Sequence, residues 1–264
     1  HEMMVHPAFN TFLLQSGRPP VTVFLGGSGD GAGPREVLRW RSVRNATMVD
    51  IDYEVTRFSL EWMPELAKGS FQDPRLHLVT GDAMKYLENL PSDYTFDVMI
   101  LDFPDVADSK ALEKLYSPGF YRLCRKHMHK DSVLVAQTGP CSQVNRAGFR
   151  ATCSMLEHLI LRNMAMIFEE IDVLLHPMAT WKVDRTMSSE WSTFTIARLS
   201  TQALDVSKEP WRNQIDGELR YYSGAVHQAA LIHPRPLVNR LLKLRGKDPL
   251  PWKETSSSRK SDEL

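Results

Sequence analysis

The sequence has 264 residues, of which 42% are hydrophobic and 24% are charged, and its 32 basic and 32 acidic side chains give a formal net charge of zero. A chain of this size and composition can form one large globular domain, or one domain with a small appendage. The zero charge argues against a nucleic-acid or anionic-membrane surface, because both need a basic excess. No apolar run approaches a membrane span in length, and the three cysteines are too few and too scattered for a disulfide framework or a zinc site.

Short β-type runs alternate with longer helical patterns from residue 21 to residue 164. The predicted strands cover residues 21–25, 47–51, 76–79, 97–101 and 132–136. The predicted helices cover residues 35–41, 53–67, 82–90, 111–128 and 149–164. Strands that alternate with helices imply right-handed crossovers and a parallel sheet covered on both faces. We therefore predict an α/β, Rossmann-like fold with a mostly parallel sheet.

Beyond residue 164 the pattern is less regular. The last predicted strands cover residues 171–175 and 193–197. A polar insertion separates them over residues 182–190, and a mostly helical pattern over 217–244 should be interrupted at Pro234 and Pro236. The expected organisation is a Rossmann-like domain over residues 1–200, a helical segment over residues 201–245 and a disordered tail over residues 246–264.

A glycine-rich loop follows the first predicted strand directly and precedes a helix. Residues 26–31 read Gly-Gly-Ser-Gly-Asp-Gly. Glycines in this context allow positive φ and close approach of a ligand, so Gly27, Gly29 and Gly31 are candidates for nucleoside contacts; a purely structural turn is the alternative. A carboxylate in the loop, Asp30, repels phosphate. It argues against a dinucleotide and favours a sulfonium nucleoside, or a cationic amine beside one.

Other acidic residues follow the next two strands. Asp50 ends the second strand, where a carboxylate is placed to accept hydrogen bonds from ribose hydroxyls. The alternative is a helix cap, which suits Asp52 better. Asp82 and Ala83 follow the third strand, and Asp82 can either accept from an adenine amino group or cap the helix that begins there. Position alone does not separate these two roles.

Two carboxylates lie at the end of the fourth strand, in Asp102-Phe103-Pro104-Asp105. An attacking amine must be neutral, so a nearby base has to take its proton, and the other ammonium groups of a polyamine need anionic partners. Asp102 is the candidate base and Asp105 the candidate anchor; a solvated acidic loop is the alternative. No His, Cys or carboxylate spacing indicates a metal site.

At these residues the chain resembles the spermidine synthase, or polyamine aminopropyltransferase, family. The matching stretches are residues 1–7, 26–38, 49–52, 81–82, 102–105, 116–121 and 221–230. The resemblance implies the sheet of S-adenosylmethionine-dependent methyltransferases, decarboxylated S-adenosylmethionine as co-substrate, no permanently bound cofactor, a polyamine acceptor and a methylthioadenosine product.

The resemblance also implies roles for individual residues. Asp102 matches the family's proton acceptor, and Asp105 and Asp30 match its amine-binding groups, with Asp30 also near the donor's aminopropyl chain. Asp50 matches an acidic ribose ligand. Asp82 stands where the family has an adenine contact.

His1 falls where the family often has a Gln that contacts the donor. The chain also departs from the family pattern. A Tyr and a small N-terminal β domain would both precede residue 1. Val106 replaces a proline, Cys141 stands where some members have an amine-binding Gln, and residues 182–190 disrupt the region of an acceptor-pocket aromatic. Donor binding therefore carries over better than acceptor identity.

The leading hypothesis is a polyamine aminopropyltransferase. An amine N-methyltransferase that uses S-adenosylmethionine, and a non-catalytic member of the family, are the alternatives. We expect a homodimer with a polyamine substrate, no nucleic-acid partner and a cytoplasmic location. The last four residues, Ser-Asp-Glu-Leu, approach an endoplasmic-reticulum retrieval signal, which makes that compartment the alternative location.

Overall fold

The computed structural model describes residues 1–104, 110–142, 152–153, 155–181, 187–233 and 235–247. Its strands are β1 (Thr22–Gly27), β2 (Asn45–Asp50), β3 (Leu76–Thr80), β4 (Phe96–Asp102), β5 (Met128–Ser142), β6 (Thr152–Cys153), β7 (Glu170–Trp181) and β8 (Met187–Arg198). Its helices are α1 (Glu2–Ser16), α2 (Ala32–Leu38), α3 (Tyr53–Trp62), α4 (Pro64–Ala67), α5 (Ala83–Glu88), α6 (Pro118–Lys126), α7 (Met155–Ala165), α8 (Gly224–Ala230) and α9 (Arg235–Leu244). Short 3-10 helices cover Ser70–Gln72, Lys110–Tyr116 and Pro210–Asn213.

The described strands form one sheet in the order β3-β2-β1-β4-β5-β8-β7, with β6 beside β5. The pairs from β3 to β5 are parallel, and β8 joins both β5 and β7 in antiparallel pairs. This mostly parallel sheet confirms the predicted α/β, Rossmann-like fold. The chain divides into two compact units, residues 1–232 with the whole sheet and residues 233–264 with α9.

The central strands are buried on both faces. Val23, Phe24 and Leu25 of β1 have no exposed surface, and the same is true of Val98 and Ile100 of β4. Continuous apolar runs of this kind are typical of parallel strands covered by helices on both sides. These strands place their carboxyl ends together at one edge of the sheet.

Helix α1 was not predicted from the sequence. All of its residues from Met3 to Leu13 are buried, and the helix contacts the sheet mainly at β5. A helix that is buried all round has no polar face, so it lacks the apolar spacing that reveals a surface helix. Pro7 lies inside the helix and further weakens the helical pattern.

Two other boundaries differ from prediction, and one agrees with it. The expected helix over residues 53–67 is broken at Met63, whose φ of −135° and ψ of 49° lie outside the helical region that a following proline disfavours. The helical pattern over residues 217–244 is interrupted as predicted, because α8 ends at Ala230 and α9 begins at Arg235. Pro236 lies in the first turn of α9, where a missing N–H costs nothing; Pro234 lies outside the described residues. The polar insertion is shorter than expected, because Met187 pairs with Trp181 at the end of the long β7–β8 ladder.

Candidate active site

The glycine loop and three of the predicted acidic residues meet at the carboxyl edge of the sheet. Gly27, the last residue of β1, pairs in register with Asp102 at the end of β4. On the other side of β1, Asp50 ends β2, and its carbonyl oxygen accepts a 2.8 Å hydrogen bond from the N–H of Gly81, next to Asp82. The strand ends predicted from the sequence thus lie side by side at one edge of the sheet.

Two glycines let the loop approach these carboxylates closely. Gly27 has a φ of +81°, and a Cβ there would lie 2.1 Å from the backbone oxygen of Asp102. A Cβ on Gly29 would lie 2.7 Å from Asp50 Oδ2. Gly31 is required for a different reason, since a Cβ there would lie 2.6 Å from the Cβ of Ala67. Its lack of a side chain is explained by packing, and a ligand contact at Gly31 stays a prediction.

Asp102 is largely enclosed, and Ser28 Oγ donates a 2.9 Å hydrogen bond to its Oδ2. Burial raises the pKa of Asp102 most, the negative charges of Asp30 and Asp50 raise it further, and His1 and Ser28 oppose the rise. A carboxylate with a raised pKa is a better proton acceptor than an ordinary one. The environment of Asp102 therefore suits a general base.

Asp30 and His1 complete a cluster with Asp102. Asp30 Oδ1 accepts a 2.9 Å hydrogen bond from the N–H of Ala32 at the start of α2. His1 Nε2 lies 3.4 Å from Asp30 Oδ2 and 4.0 Å from Asp102 Oδ2. Burial alone would lower the pKa of His1, but these two carboxylates raise it above its ordinary value, and the contact with His1 helps to lower the pKa of Asp30. The cluster therefore favours a cation between two anions.

Asp52 and Asp82 are helix caps. Asp52 Oδ1 accepts a 2.9 Å hydrogen bond from the N–H of Glu54 at the start of α3, which confirms the cap predicted for it. Asp82 Oδ1 accepts from the N–H groups of Met84 and Lys85 at 2.8 and 3.2 Å, and Ala83 is the buried first residue of α5. The structure confirms the cap role of Asp82, and contacts of Asp82 and Ala83 with adenine stay predictions.

Ser28, Ile51 and Tyr116 also lie at or contact this edge of the sheet, although sequence reasoning did not single them out. Ser28 has a φ of +69°, an uncommon value for a residue other than glycine, and this conformation accompanies its hydrogen bond to Asp102. Ile51 is 76% exposed directly after Asp50 and offers an apolar surface at the carboxyl edge. The hydroxyl of Tyr116 donates to the carbonyl oxygens of Phe103 and Pro104 at 3.2 and 2.8 Å.

Asp105, the predicted anchor, lies outside the described residues. Tyr116 nevertheless fixes the chain on the Asp102 side of this loop, up to Pro104. Among the residues that the structure describes, no group of three or more His, Cys, Asp or Glu side chains could hold a metal ion. The described part of the chain also has no helix long and apolar enough to cross a membrane.

A second concave region has a lining different from the acidic cluster. This cavity of about 770 Å³ is lined mostly by charged side chains, among them Glu2, Arg35, Arg39 and Arg220. Its lining includes none of Asp30, Asp50, Asp82 and Asp102, so it is distinct from the carboxyl-edge site.

Comparisons with known proteins agree with this geometry. A family model described as the spermine/spermidine synthase domain matches residues 1–194. A polyamine aminopropyltransferase of Pyrobaculum neutrophilum is 39% identical over 140 residues, which cover 53% of this chain and 46% of that protein. Polyamine aminopropyltransferase 2 of Hyperthermus butylicus is 31% identical over 245 residues, which cover 90% of this chain and 72% of that protein.

The fold comparison gives the same family. The crystal structure of spermidine synthase from Thermotoga maritima superposes with a TM-score of 0.72 at 25% identity, covering 91% of this chain and 73% of that one. The resemblance predicted from the sequence is thus confirmed. The matched region amounts to about half the length of several of the curated relatives, 46% and 45% in the first two.

Proposed function

The chain belongs to the spermine/spermidine synthase family, and we propose that it transfers an aminopropyl group from decarboxylated S-adenosylmethionine to an amine such as putrescine, releasing methylthioadenosine. The observation that carries this proposal is the enclosed Asp102 carboxylate, with its raised pKa, beside the glycine loop and Asp30. Alkylation of an amine by a sulfonium donor requires a base that takes the proton of the amine, close to the loop that would bind the donor.

The donor would occupy the glycine-loop side of the carboxyl edge. Gly27 and Gly29 keep the loop free of side chains, and Asp50 offers carboxylate oxygens to the ribose hydroxyls. The exposed side chain of Ile51 offers an apolar face to the purine. Asp82 and Ala83 follow β3, whose end pairs with the end of β2 just before Ile51. The carboxylate of Asp30 would repel a phosphate group, which supports a sulfonium nucleoside over a dinucleotide.

The reaction step conserves charge without a metal ion. The ammonium form of the acceptor gives a proton to Asp102, and the neutral nitrogen that remains attacks the methylene carbon next to the sulfonium, so that the positive charge passes from sulfur to the alkylated nitrogen. The new C–N bond forms as the C–S bond breaks, and the sulfur leaves as a neutral thioether. Holding the two reactants in line can supply effective molarities of roughly 10⁵ M or more, so positioning accounts for much of the rate.

Three further side chains would bind charge around this step. The carboxylate of Asp30, in the loop beside His1, would attract the ammonium group of the donor's aminopropyl chain. Asp105 would anchor a distal ammonium group of the acceptor. His1 would contact the donor. Because the described cluster carries several carboxylates, a cationic acceptor fits it better than a neutral one.

The experiment that tests this function supplies both possible donors. The protein is incubated separately with decarboxylated S-adenosylmethionine and with S-adenosylmethionine, each with a panel of di- and polyamines, and the products are identified by mass spectrometry. Methylthioadenosine and an amine heavier by one aminopropyl group are expected. S-adenosylhomocysteine and a methylated amine would instead identify a methyltransferase. Donor binding by calorimetry without turnover of any amine would identify a non-catalytic member.

The homodimer, the cytoplasmic location, the lack of a nucleic-acid partner and the three-part organisation at residues 200 and 245 stay predictions. Sedimentation of the purified protein tests the first of these directly. A mass of twice 30.2 kDa is the expected result.

A further inference from the structure

The side chain of Glu2 makes an unusual set of contacts at the start of α1. Its Oε1 accepts a 2.9 Å hydrogen bond from the N–H of Arg220, and its Oε2 accepts from the N–H groups of Tyr221 and Tyr222 at 2.8 and 2.9 Å. Three consecutive backbone N–H groups, distant in sequence from Glu2, thus donate to one carboxylate. Burial would raise the pKa of Glu2, but these three bonds lower it, so the side chain is ionised at neutral pH.

The segment that Glu2 binds, residues 220–222, is itself held by other contacts on both sides. Before it, Arg39 donates hydrogen bonds to the carbonyl oxygens of Asp216 and Glu218 at 3.0 and 2.6 Å. At its end, Tyr222 is buried, and its hydroxyl lies 3.0 Å from Nδ1 of buried His227. These contacts restrain the segment, so its hydrogen bonds to Glu2 also restrain the start of α1.

The position of His1 depends on this start. His1 is the N-cap residue of α1, and its carbonyl oxygen accepts from the N–H groups of Met4 and Val5 at 3.0 Å each. Its own side chain makes no capping bond, because it points to Asp30 and Asp102 instead. The side chain of His1 therefore does not stabilise the start of the helix. The adjacent side chain of Glu2 connects this start to the backbone of residues 220–222.

We propose that Glu2 is a positioning residue: by binding the backbone of residues 220–222 it fixes the start of α1 and so holds His1 against Asp30 and Asp102. Glu2 itself acts through His1 and touches neither carboxylate. The importance of this role for turnover rests on the proposed function, in which Asp102 is the base and His1 contacts the donor. The positioning of His1 by Glu2 is a property of the protein without substrate and does not depend on the reaction.

The test follows the titration of His1 by NMR, using the imidazole C2–H signal. The protein has nine histidines, and the signal that disappears in His1→Gln is assigned to His1. In Glu2→Ala we expect the titration midpoint of His1 to move down towards its ordinary value, because the imidazole is no longer held at the two carboxylates. We also expect methylthioadenosine to bind about tenfold more weakly by calorimetry, since a factor of ten is the effect of one modest polar contact.

Glu209→Ala is the matched control. Its carboxylate also binds a backbone group, the N–H of Gly224 at 2.6 Å, together with Arg212, but it does not hold the start of α1. It should lower stability without moving the His1 titration, which separates positioning from general loosening. Glu2→Gln keeps one carbonyl oxygen as acceptor and should move the titration in the same direction but less, so it serves if Glu2→Ala does not fold.

A His1 titration that is unchanged in the folded Glu2 variants would overturn the proposal. Because this readout needs no substrate, it is independent of the reaction. If His1 moves as expected and no donor and amine give a product, the proposed function fails and the positioning role stands.

Discussion

Removal of the Ser28 hydroxyl tests the base directly. Ser28 Oγ donates to the ionised form of Asp102 and so lowers its pKa, in opposition to burial. In Ser28→Ala the pKa of Asp102 should therefore rise further. Because the base must be ionised to act, activity that depends on Asp102 is lost as pH falls through its pKa, and the acidic limb of the pH profile should move to higher pH.

The size of the shift follows from the hydrogen bond. A hydrogen bond to a charged group contributes about 1.5–3 kcal/mol, and one pH unit corresponds to about 1.4 kcal/mol, so the acidic limb should move up by about one pH unit or more. The assay is kcat/KM for aminopropyl transfer across pH, because this parameter reports the ionisation of the free enzyme. At high pH, where Asp102 is ionised in both proteins, the two rates should converge.

Ser70→Ala is the control for this experiment. Ser70 is also buried next to the loop, but its Oγ donates to the backbone oxygen of Gly31 at 3.2 Å rather than to a carboxylate. It should leave the acidic limb in place. Repeating the profile in a His1→Gln background separates Asp102 from the neighbouring imidazole. An acidic limb that stays at the same pH in Ser28→Ala would refute the assignment of the limb to Asp102.

Three further changes have distinct expected outcomes. Asp102→Asn should lower turnover by about 10²–10⁴-fold, the usual contribution of a general base, while calorimetry shows methylthioadenosine binding within a few-fold; unchanged turnover would remove Asp102 from the mechanism. Gly27→Ala should weaken donor binding and lower the melting temperature, because its Cβ would collide with the backbone of Asp102; Gly69→Ala, at a φ of +79° with no atom within 4 Å, controls for backbone strain alone. Asp97→Asn should lower the free energy of unfolding in urea by about 3 kcal/mol at pH 7, because it strips a buried carboxylate from Arg18, His129 and two backbone N–H groups. Those contacts lower the pKa of Asp97, so its contribution is fully present above the unfolded-state pKa of about 3.9 and decreases as pH falls from there through the lower folded-state pKa. An equal deficit at pH 7 and pH 3 would contradict this.

The sequence was sufficient for the central sheet and for its acidic edge. Strands β1 to β5 carry apolar runs bounded by turn residues, and a parallel sheet brings the ends of such strands together whatever the details of packing. The positions of Asp50 and Asp102 at strand ends follow from this rule. Local pattern also identified Asp52 as a cap, because a cap is decided by the next few residues.

Helix α1 shows where that reasoning fails. Its first turn brings His1 to the site and its body is buried on all sides, so neither its role nor its existence leaves a periodic trace in the sequence. Asp82 shows another limit: its position allowed two roles, and only the backbone of α5 showed which hydrogen bonds its Oδ1 accepts.

The sequence by itself therefore determined the fold class, the place of the glycine-rich loop after β1 and the acidic residues at the strand ends, because each depends on spacing along a few neighbouring residues. Only the tertiary structure decided how these groups act on one another. The Ser28–Asp102 bond spans 74 residues and the Glu2–Tyr222 bond spans 220. Burial raises the pKa of Asp102, whereas backbone hydrogen bonds lower the pKa of Glu2. Distances of that kind are fixed by packing of the whole domain, which no local pattern encodes.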